Sequence, residues 1–240
     1  GGAPVIECDI LIAGGGTGGF AAALQACEMA EEWGIEKIVM TEETTWLGGQ
    51  YTSQGVTASD DNSLVEQGRY EVGASEMFYR FHETIRDYYR PEALEVARTT
   101  PRTGEGMTEA RKLDIRWIEG AEFSPGNAWG SRMSFLPKDG VRAIDDMLAP
   151  YLESGLLEVR YSVVPVEVEK AGTRVTGVRF ESTESGDEFI VRADITLDAT
   201  ELGDLLPLSD TEYRIGIEAS EETGEPSLFD DDGTPLYPEP

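Results

Sequence analysis

Five glycines and one threonine stand together in DILIAGGGTGGFAAA, Asp9 to Ala23. Gly14, Gly16 and Gly19 have the spacing of a strand-to-helix turn that holds a diphosphate. The first glycine makes the bend, the second lets backbone approach the anion, and the third lets helix pack closely on strand. Gly15 and Gly18 keep the intervening positions free of side chains. The helix that follows offers unpaired N–H groups and a partial positive charge, and Thr17, in its first turn, can add a hydroxyl. The pattern also wants an acidic residue at the end of the next strand, to accept hydrogen bonds from ribose hydroxyls. Glu42 ends KIVMTE at that place, with Glu43 as the alternative; a carboxylate there repels a 2′-phosphate and disfavours NADP. The chemistry implied is the holding of a dinucleotide by its diphosphate. The plainer reading is a glycine-rich turn with nothing bound.

Such a turn needs a βαβ unit to position it. Ile10 to Ala13 is a short, unalternated apolar run, as in a strand buried on both faces. From Thr17 to Trp33 the spacing is helical, with Phe20, Leu24 and Cys27 on one stripe, and Gly34 ends the helix. Ile38 to Thr41 supplies a second strand, which a right-handed crossover sets parallel to the first. Ser75 caps a predicted helix with Met77, Phe81, Ile85 and Tyr88 on its apolar stripe. Past Pro91 the segment ARTTPRTGEGMTEARKLD has no clear period and reads as a loop or the entrance to a substrate region. Asp139 precedes an amphipathic helix carrying Val141, Ile144, Leu148 and Leu152. From Leu157 onward, strand-like runs broken at AGT and ESGD predict an antiparallel meander. It feeds a final strand with Ile195, Leu197 and Ala199 facing one way. The expected fold class is α/β: a Rossmann-like domain with a parallel central sheet and an antiparallel β-meander. Residues 1–58 and 139–206 would form it, with a partly helical substrate or cap region inserted at 59–138 and an acidic extension at 207–240.

Composition narrows the partners. Among 240 residues, 47 acidic side chains face 19 basic ones, a net charge of -28. That field repels phosphate backbones and anionic lipid, so neither nucleic acid nor a membrane surface is expected as a partner. Acidity reads as a solubility device, and a cytoplasmic location is expected, with no apolar run long enough to span a bilayer and no visible signal peptide. Cys8 and Cys27, without a CxxC, indicate neither a disulfide framework nor a thiolate metal site. His82 alone cannot build a histidine centre, and the acidic tail lacks EF-hand spacing, so no metal is expected. Lying off the apolar stripe of its helix, His82 reads as a solvated surface residue. Cys27 reads as core.

A second glycine pair, Gly48 and Gly49 in ETTWLGGQYTSQG, would again bring backbone near a ligand. An acidic residue followed by such an LGG resembles FAD-dependent oxidoreductases with a glutathione-reductase-like nucleotide fold. More closely, GGGTGG, WLGGQYTSQGVT, NAWGSR with MLAPY after it, LDATELGDLLPL and ETGEP resemble a bacterial group of FAD-dependent oxidoreductases, some described as xanthan lyase-associated. These motifs run from Asp9 to Pro226. The resemblance implies FAD as cofactor, its pyrophosphate held at Gly14, Gly16, Thr17 and Gly19 and its adenosine ribose at Glu42. Gly48, Gly49, Gln50 and Thr52 would line the path to the flavin. Backbone near Val164 and Pro165 would face adenine, although Pro165 has no N–H to offer. Ala199, Thr200 and Gly203, in DATELG, would pack on the cofactor; the plainer reading of that segment is a core strand and turn. Members of the group continue well past the position of Pro226, so the resemblance implies a missing C-terminal part or a second chain that completes the site.

Catalytic residues are less legible, since a flavin does the redox chemistry itself while protein groups position the substrate. Gln54 and its polar neighbours Gln50, Thr52 and Ser53 are candidates for hydrogen bonds to the ring edge. Arg132 is a rare cation in NAWGSRMSF that could bind a substrate carboxylate or steady a reduced flavin's charge; an ordinary ion pair is its plainer reading. The expected function is FAD-dependent oxidation of a small organic substrate by hydride transfer. The alternatives are a nucleotide-binding subunit that needs a partner chain, and an NAD-linked dehydrogenase.

Overall fold

The structure is a computed structural model; it describes residues 2–55, 57–59, 73–99, 114–121, 123–126, 133–216, 223, 224, 234 and 236. Strand β1 (Val5–Ala13) leads through the glycine turn into α1 (Thr17–Glu28). The single helix expected to Trp33 is broken at Met29, with φ near −94° and ψ near 2°, and resumes as α2 (Ala30–Trp33). Gly34 closes it in the left-handed conformation, as its lack of a Cβ allows. β2 (Ile38–Thr41) follows, then α3 (Gln50–Ser53), β3 (Thr57–Ala58) and α4 (Glu76–Thr99). After these come α5 (Ile115–Glu119), β4 (Ser134–Phe135) and α6 (Pro137–Ser154). The chain then forms β5 (Leu157–Arg160), β6 (Val163–Ala171), β7 (Arg174–Ser182) and β8 (Glu188–Asp198), followed by α7 (Leu205–Leu208).

Six strands make one sheet in the order β5-β2-β1-β8-β7-β6. β1 pairs in parallel with β2, Ile10 opposite Ile38, and with β8, Ile10 opposite Ile195. β5 adds a parallel edge beside β2. β6, β7 and β8 are antiparallel, so the predicted meander is present, and β8 belongs to both halves. Side chains alternate across a strand, and β1 therefore feeds two cores. Ile10 and Ile12 pack with Phe20, Leu24, Ile38 and Met40 on the helix side. Leu11 and Ala13 pack with Val39, Val178, Phe180 and Val191 on the meander side. Burial on both faces is why the run Ile10 to Ala13 lacks alternation. On β8 the helix-side residues Ile195 and Leu197 stay 54% and 38% exposed.

α4 departs from expectation twice. Ser75 does cap it, its Oγ accepting from the Phe78 N–H at 3.3 Å, but Pro91 lies inside the helix rather than ending it. The residues ARTT that read as loop are helical as far as Thr99. The helix is also buried on two sides. Phe81 and Ile85 join the main core with Met77 and Tyr88 partly covered. The adjoining face puts His82 and Arg86 in the interior, 0% and 4% exposed. Arg86 Nε donates to the Phe123 carbonyl at 2.7 Å, and Arg90 Nε to the Ile118 carbonyl at 3.2 Å, tying α5 to α4. His82 is thus not a surface residue: its ring lies 4.0 Å from that of Phe78. Burial, aided by the Arg86 charge, pushes its pKa down to about 3. Asp139, expected just ahead of α6, lies in its first turn, two residues after Pro137 opens the helix.

Candidate functional site

The glycine turn sits where the parallel strands end, between β1, β2 and β8, at the end of an α/β sheet where ligands are bound. Gly14 has φ near 105°, and a Cβ on it would collide with the Ala199 carbonyl. Gly19 lies so close to Gly14 that a Cβ would overlap the Gly14 carbonyl oxygen. These two glycines serve the backbone itself, holding helix and strands together. Gly16 is different. It is the N-cap of α1, no side chain caps it, and the first helical bond runs from the Phe20 N–H to the Gly16 carbonyl. The first-turn N–H groups of Thr17, Gly18 and Gly19 therefore have no partner within the helix. A Cβ on Gly18 would meet nothing within 4 Å. The result is a helix mouth whose own residues Gly16 and Gly18 put no side chain on its approach, the kind of surface a diphosphate needs, with the Glu201 carboxylate standing before it.

The second glycine pair is fastened to this mouth. Thr17 Oγ1 donates to the Gly48 carbonyl at 2.8 Å, and the Gly48 N–H donates to the Gly15 carbonyl at 2.8 Å. The lone Thr17 hydroxyl proton is therefore used within the protein rather than offered to an anion. Thr52, expected on the path to the flavin, is fully buried, and its Oγ1 donates to the Leu47 carbonyl at 2.7 Å. It holds the loop from beneath. Gly48, with φ near 113°, passes so close that a Cβ would lie 2.6 Å from Thr52 Cγ2. Gln50 and Ser53 line an adjoining hollow with Trp46, Gly49 and Glu42. Gln54 turns its Nε2 to the Gln50 carbonyl at 2.9 Å. Arg132 lies outside the described residues.

Glu42 is buried, and both of its oxygens are engaged. Oε2 accepts from the Gly15 N–H at 3.0 Å and Oε1 from the Thr44 N–H at 2.8 Å. The acid expected to meet a ribose thus also ties β2 to the glycine turn. It still borders the hollow over Gly14, Gly15 and Gly16, which Thr41, Glu43, Val163, Pro165, Ala199, Thr200, Glu201 and Asp204 complete. Pro165 lines it, whereas the neighbour that does so is Val163 rather than Val164, in keeping with strand alternation.

Across the turn, Asp198 organises the segment after β8. Its Oδ1 accepts from the Thr200 N–H at 3.1 Å and from Thr200 Oγ1 at 2.7 Å, and its Oδ2 from the Leu205 N–H at 3.0 Å. The Ala199 N–H donates to the Ala13 carbonyl at 2.7 Å, which brings DATELG beside the first glycine as expected. Gly203, with φ near 72°, carries the chain onward into α7. Two residues here went unread in the sequence. Asp198 carried a signal, an aspartate followed two residues later by a threonine at a strand end, the makings of an Asx-type turn. Glu201 carried none.

Four carboxylates, Glu42, Glu43, Glu201 and Asp204, border the hollow, and no lysine or arginine does so among the described residues. Among the described residues, positive potential at the hollow comes from backbone alone. A larger hollow of about 680 Å³ lies against the middle of β1 and β8, beside Cys8 and Ala193. Its cations are already paired, Lys37 with Glu158, Arg174 with Asp194 of the same hollow and Arg192 with Glu169. We assign no chemistry to it. The thiols of Cys8 and Cys27 are both pushed up to about 11, chiefly by burial, which leaves them protonated and unreactive at neutral pH.

Fold and site together define a Rossmann-type dinucleotide-binding protein. The family described as FAD dependent oxidoreductase matches residues 9–237. The chain belongs to that family, and FAD is its cofactor. No match was found among curated proteins. Among solved structures, the chain is similar to adenylylsulfate reductase from the hyperthermophilic Archaeoglobus fulgidus, at 15% identity and a TM-score of 0.43, over 82% of this chain and 31% of that one. It is similar to the E. coli quinol fumarate reductase subunit FrdA at 14% identity and a TM-score of 0.42, over 82% and 33%. The flavin-dependent monooxygenase PieE, solved with FAD and substrate, gives 18% and 0.38, over 82% and 31%. The chain spans about a third of the length of these structures.

Proposed function

We propose that this chain holds FAD with its diphosphate at the mouth of α1 and forms the nucleotide-binding part of an oxidoreductase acting on a small organic molecule. The observation that carries the reading is the uncapped first turn of α1 behind Gly16, joined by Thr17 to Gly48 and lying at the carboxyl ends of parallel strands. FAD, when bound, supplies the acceptor for a hydride. The protein's own groups would do the rest. Backbone N–H groups of Thr17 and Gly18 would meet the diphosphate, and Glu42 would meet the adenosine ribose through the lone pairs left after its two backbone bonds. Val163 and Pro165 would flank the adenine, and Gly49, Gln50 and Ser53 would border the way to the flavin. Residues 59–138 would cover the reacting end, with Gln54 and Arg132 as candidates to touch substrate.

A visible absorption spectrum of the purified chain, with identification of any released chromophore, tests the reading directly. A flavin spectrum and released FAD are expected. Gly16→Val should abolish FAD retention, because the new side chain projects into the anion's space; a variant that kept stoichiometric FAD would move the diphosphate elsewhere. The exposed Ile195 and Leu197 on the helix side of β8 favour a second reading, in which further polypeptide covers this face and completes the enzyme. Turnover by the isolated chain would count against that reading.

A further inference from the structure

Glu201 stands in the mouth of α1. A Cβ built on Gly16 would lie 2.7 Å from Glu201 Oε1, and one built on Gly49 would lie 3.0 Å from that oxygen and 3.3 Å from the Thr17 nitrogen. The carboxylate oxygen thus occupies the gap between the two glycine segments, at the positive end of the helix. It is held there by no hydrogen bond or ion pair among the described residues, and the side chain is otherwise exposed. Glu201 also borders both hollows, the one over the glycine turn and the one running past Gln50 and Ser53. The space over the glycine turn is about 30 Å³, room for roughly one water molecule. The space on the other side is about 260 Å³. One flexible acidic side chain therefore divides what a dinucleotide would need as a continuous trough.

We propose that Glu201 is an affinity-lowering residue: its carboxylate lies where the diphosphate would come, and FAD must displace it to bind. This rests on the diphosphate lying at the mouth of α1, as proposed above. The physical argument is competition. The carboxylate and the diphosphate, both anionic, would compete for one place, and among the described residues no basic side chain lines the hollow to screen one from the other. Binding FAD must therefore include turning Glu201 out, and the free energy of that step is subtracted from the affinity. Since the side chain is exposed and unpartnered, its rotation needs no change of fold.

The test compares FAD binding to the apoprotein by flavin fluorescence titration and stopped flow for the full chain and for Glu201→Gln, Glu31→Gln and Gly16→Val. Glu31→Gln removes the same charge from the exposed face of α2, away from both hollows. Glu201→Gln is expected to lower Kd about tenfold and to raise the association rate, with Glu31→Gln changing Kd less than threefold. An unchanged or higher Kd in Glu201→Gln would overturn the proposal, as would equal gains in the two variants, which would reduce the effect to net charge. ADP as a second probe should gain affinity in Glu201→Gln by a similar factor. Gly16→Val separates the two readings. If it binds FAD as the parent does, with an unchanged circular dichroism spectrum, the diphosphate is not at this mouth and the site reading fails. If it loses FAD while Glu201→Gln gains none, the site stands and Glu201 is merely a bystander.

Discussion

At the residue scale, Glu42 carries two duties that pull in the same direction. Its carboxylate accepts from the Gly15 and Thr44 N–H groups, so removing it leaves two backbone donors unpaired in a nearly buried place. Such a loss costs about 1–3 kcal/mol. Glu42→Ala should therefore lower the stability of the apoprotein by about that much in urea unfolding, and weaken FAD by at least as much again. A loss confined to FAD would mean that the two backbone bonds do not hold the turn. His82 makes a different statement, about pH. Its pKa is near 3 folded, against about 6.5 in the unfolded chain. Between those values the unfolded state binds the extra proton, so stability is complete above about pH 6.5 and falls as pH drops toward 3, by up to about 1.4 kcal/mol per unit. Both ring nitrogens lack partners among the described residues. His82→Leu should accordingly remove that acid-side slope without destabilising the neutral protein, as a series of melts from pH 7 to pH 4 would read. A slope that survived the substitution would belong to other groups.

At the scale of elements, the βαβ unit was legible because each of its signals has a single physical cause. Gly14 and Gly19 are excluded from bearing a Cβ by backbone atoms, whatever is bound, and that exclusion shows in the sequence as spacing. The meander was legible from alternation and from its two turns. α4 was not, for two reasons. Assigning His82 to solvent assumed a helix buried along one stripe, whereas α5 and the Phe123 carbonyl cover a second face. Ending the helix at Pro91 assumed that local propensity decides, but the turn before it is held by the Arg90 bonds to the Ile118 and Gly120 carbonyls and by the Arg90 pairs to Glu83 and Asp87. The proline still lacks the N–H that a helix interior would use. Pro91→Ala is expected to stabilise the protein by about 1–3 kcal/mol and to raise helical circular dichroism slightly. Destabilisation would mean that the ring itself packs against something. The role of Glu42 as a backbone fastener was beyond reach in sequence for a related reason. Spacing locates an acid at a strand end but does not reveal which donors fold back upon it.

At the scale of the whole molecule, charge and site oppose each other. A chain of net charge -28 must capture a dinucleotide that is itself anionic, at a hollow bordered by four carboxylates. Repulsion of this kind is screened by salt over about 10 Å at 0.1 M. FAD association should therefore quicken, and Kd fall several-fold, as sodium chloride rises from 10 to about 300 mM at constant pH. A site that relied on lysine or arginine would respond in the opposite sense, so weakening by salt would reveal a cation in contact with the diphosphate. Among the described residues no helix is long and apolar enough to cross a membrane, and the exposed apolar residues of β8 sit on the helix side of the sheet.

The shared strand β8 has a consequence in time. β1 finds its neighbour β2 within a few tens of residues, but its other neighbour pairs Val5 with Ile190. During synthesis the first strand must wait, one edge open, until nearly the whole described chain has left the ribosome, and such distant pairings are slow to form. Ala199 and Thr200 arrive later still, directly behind β8. The two walls of the nucleotide trough thus come from opposite ends of the folding sequence, and loading of the cofactor would mark the moment at which the sheet has closed.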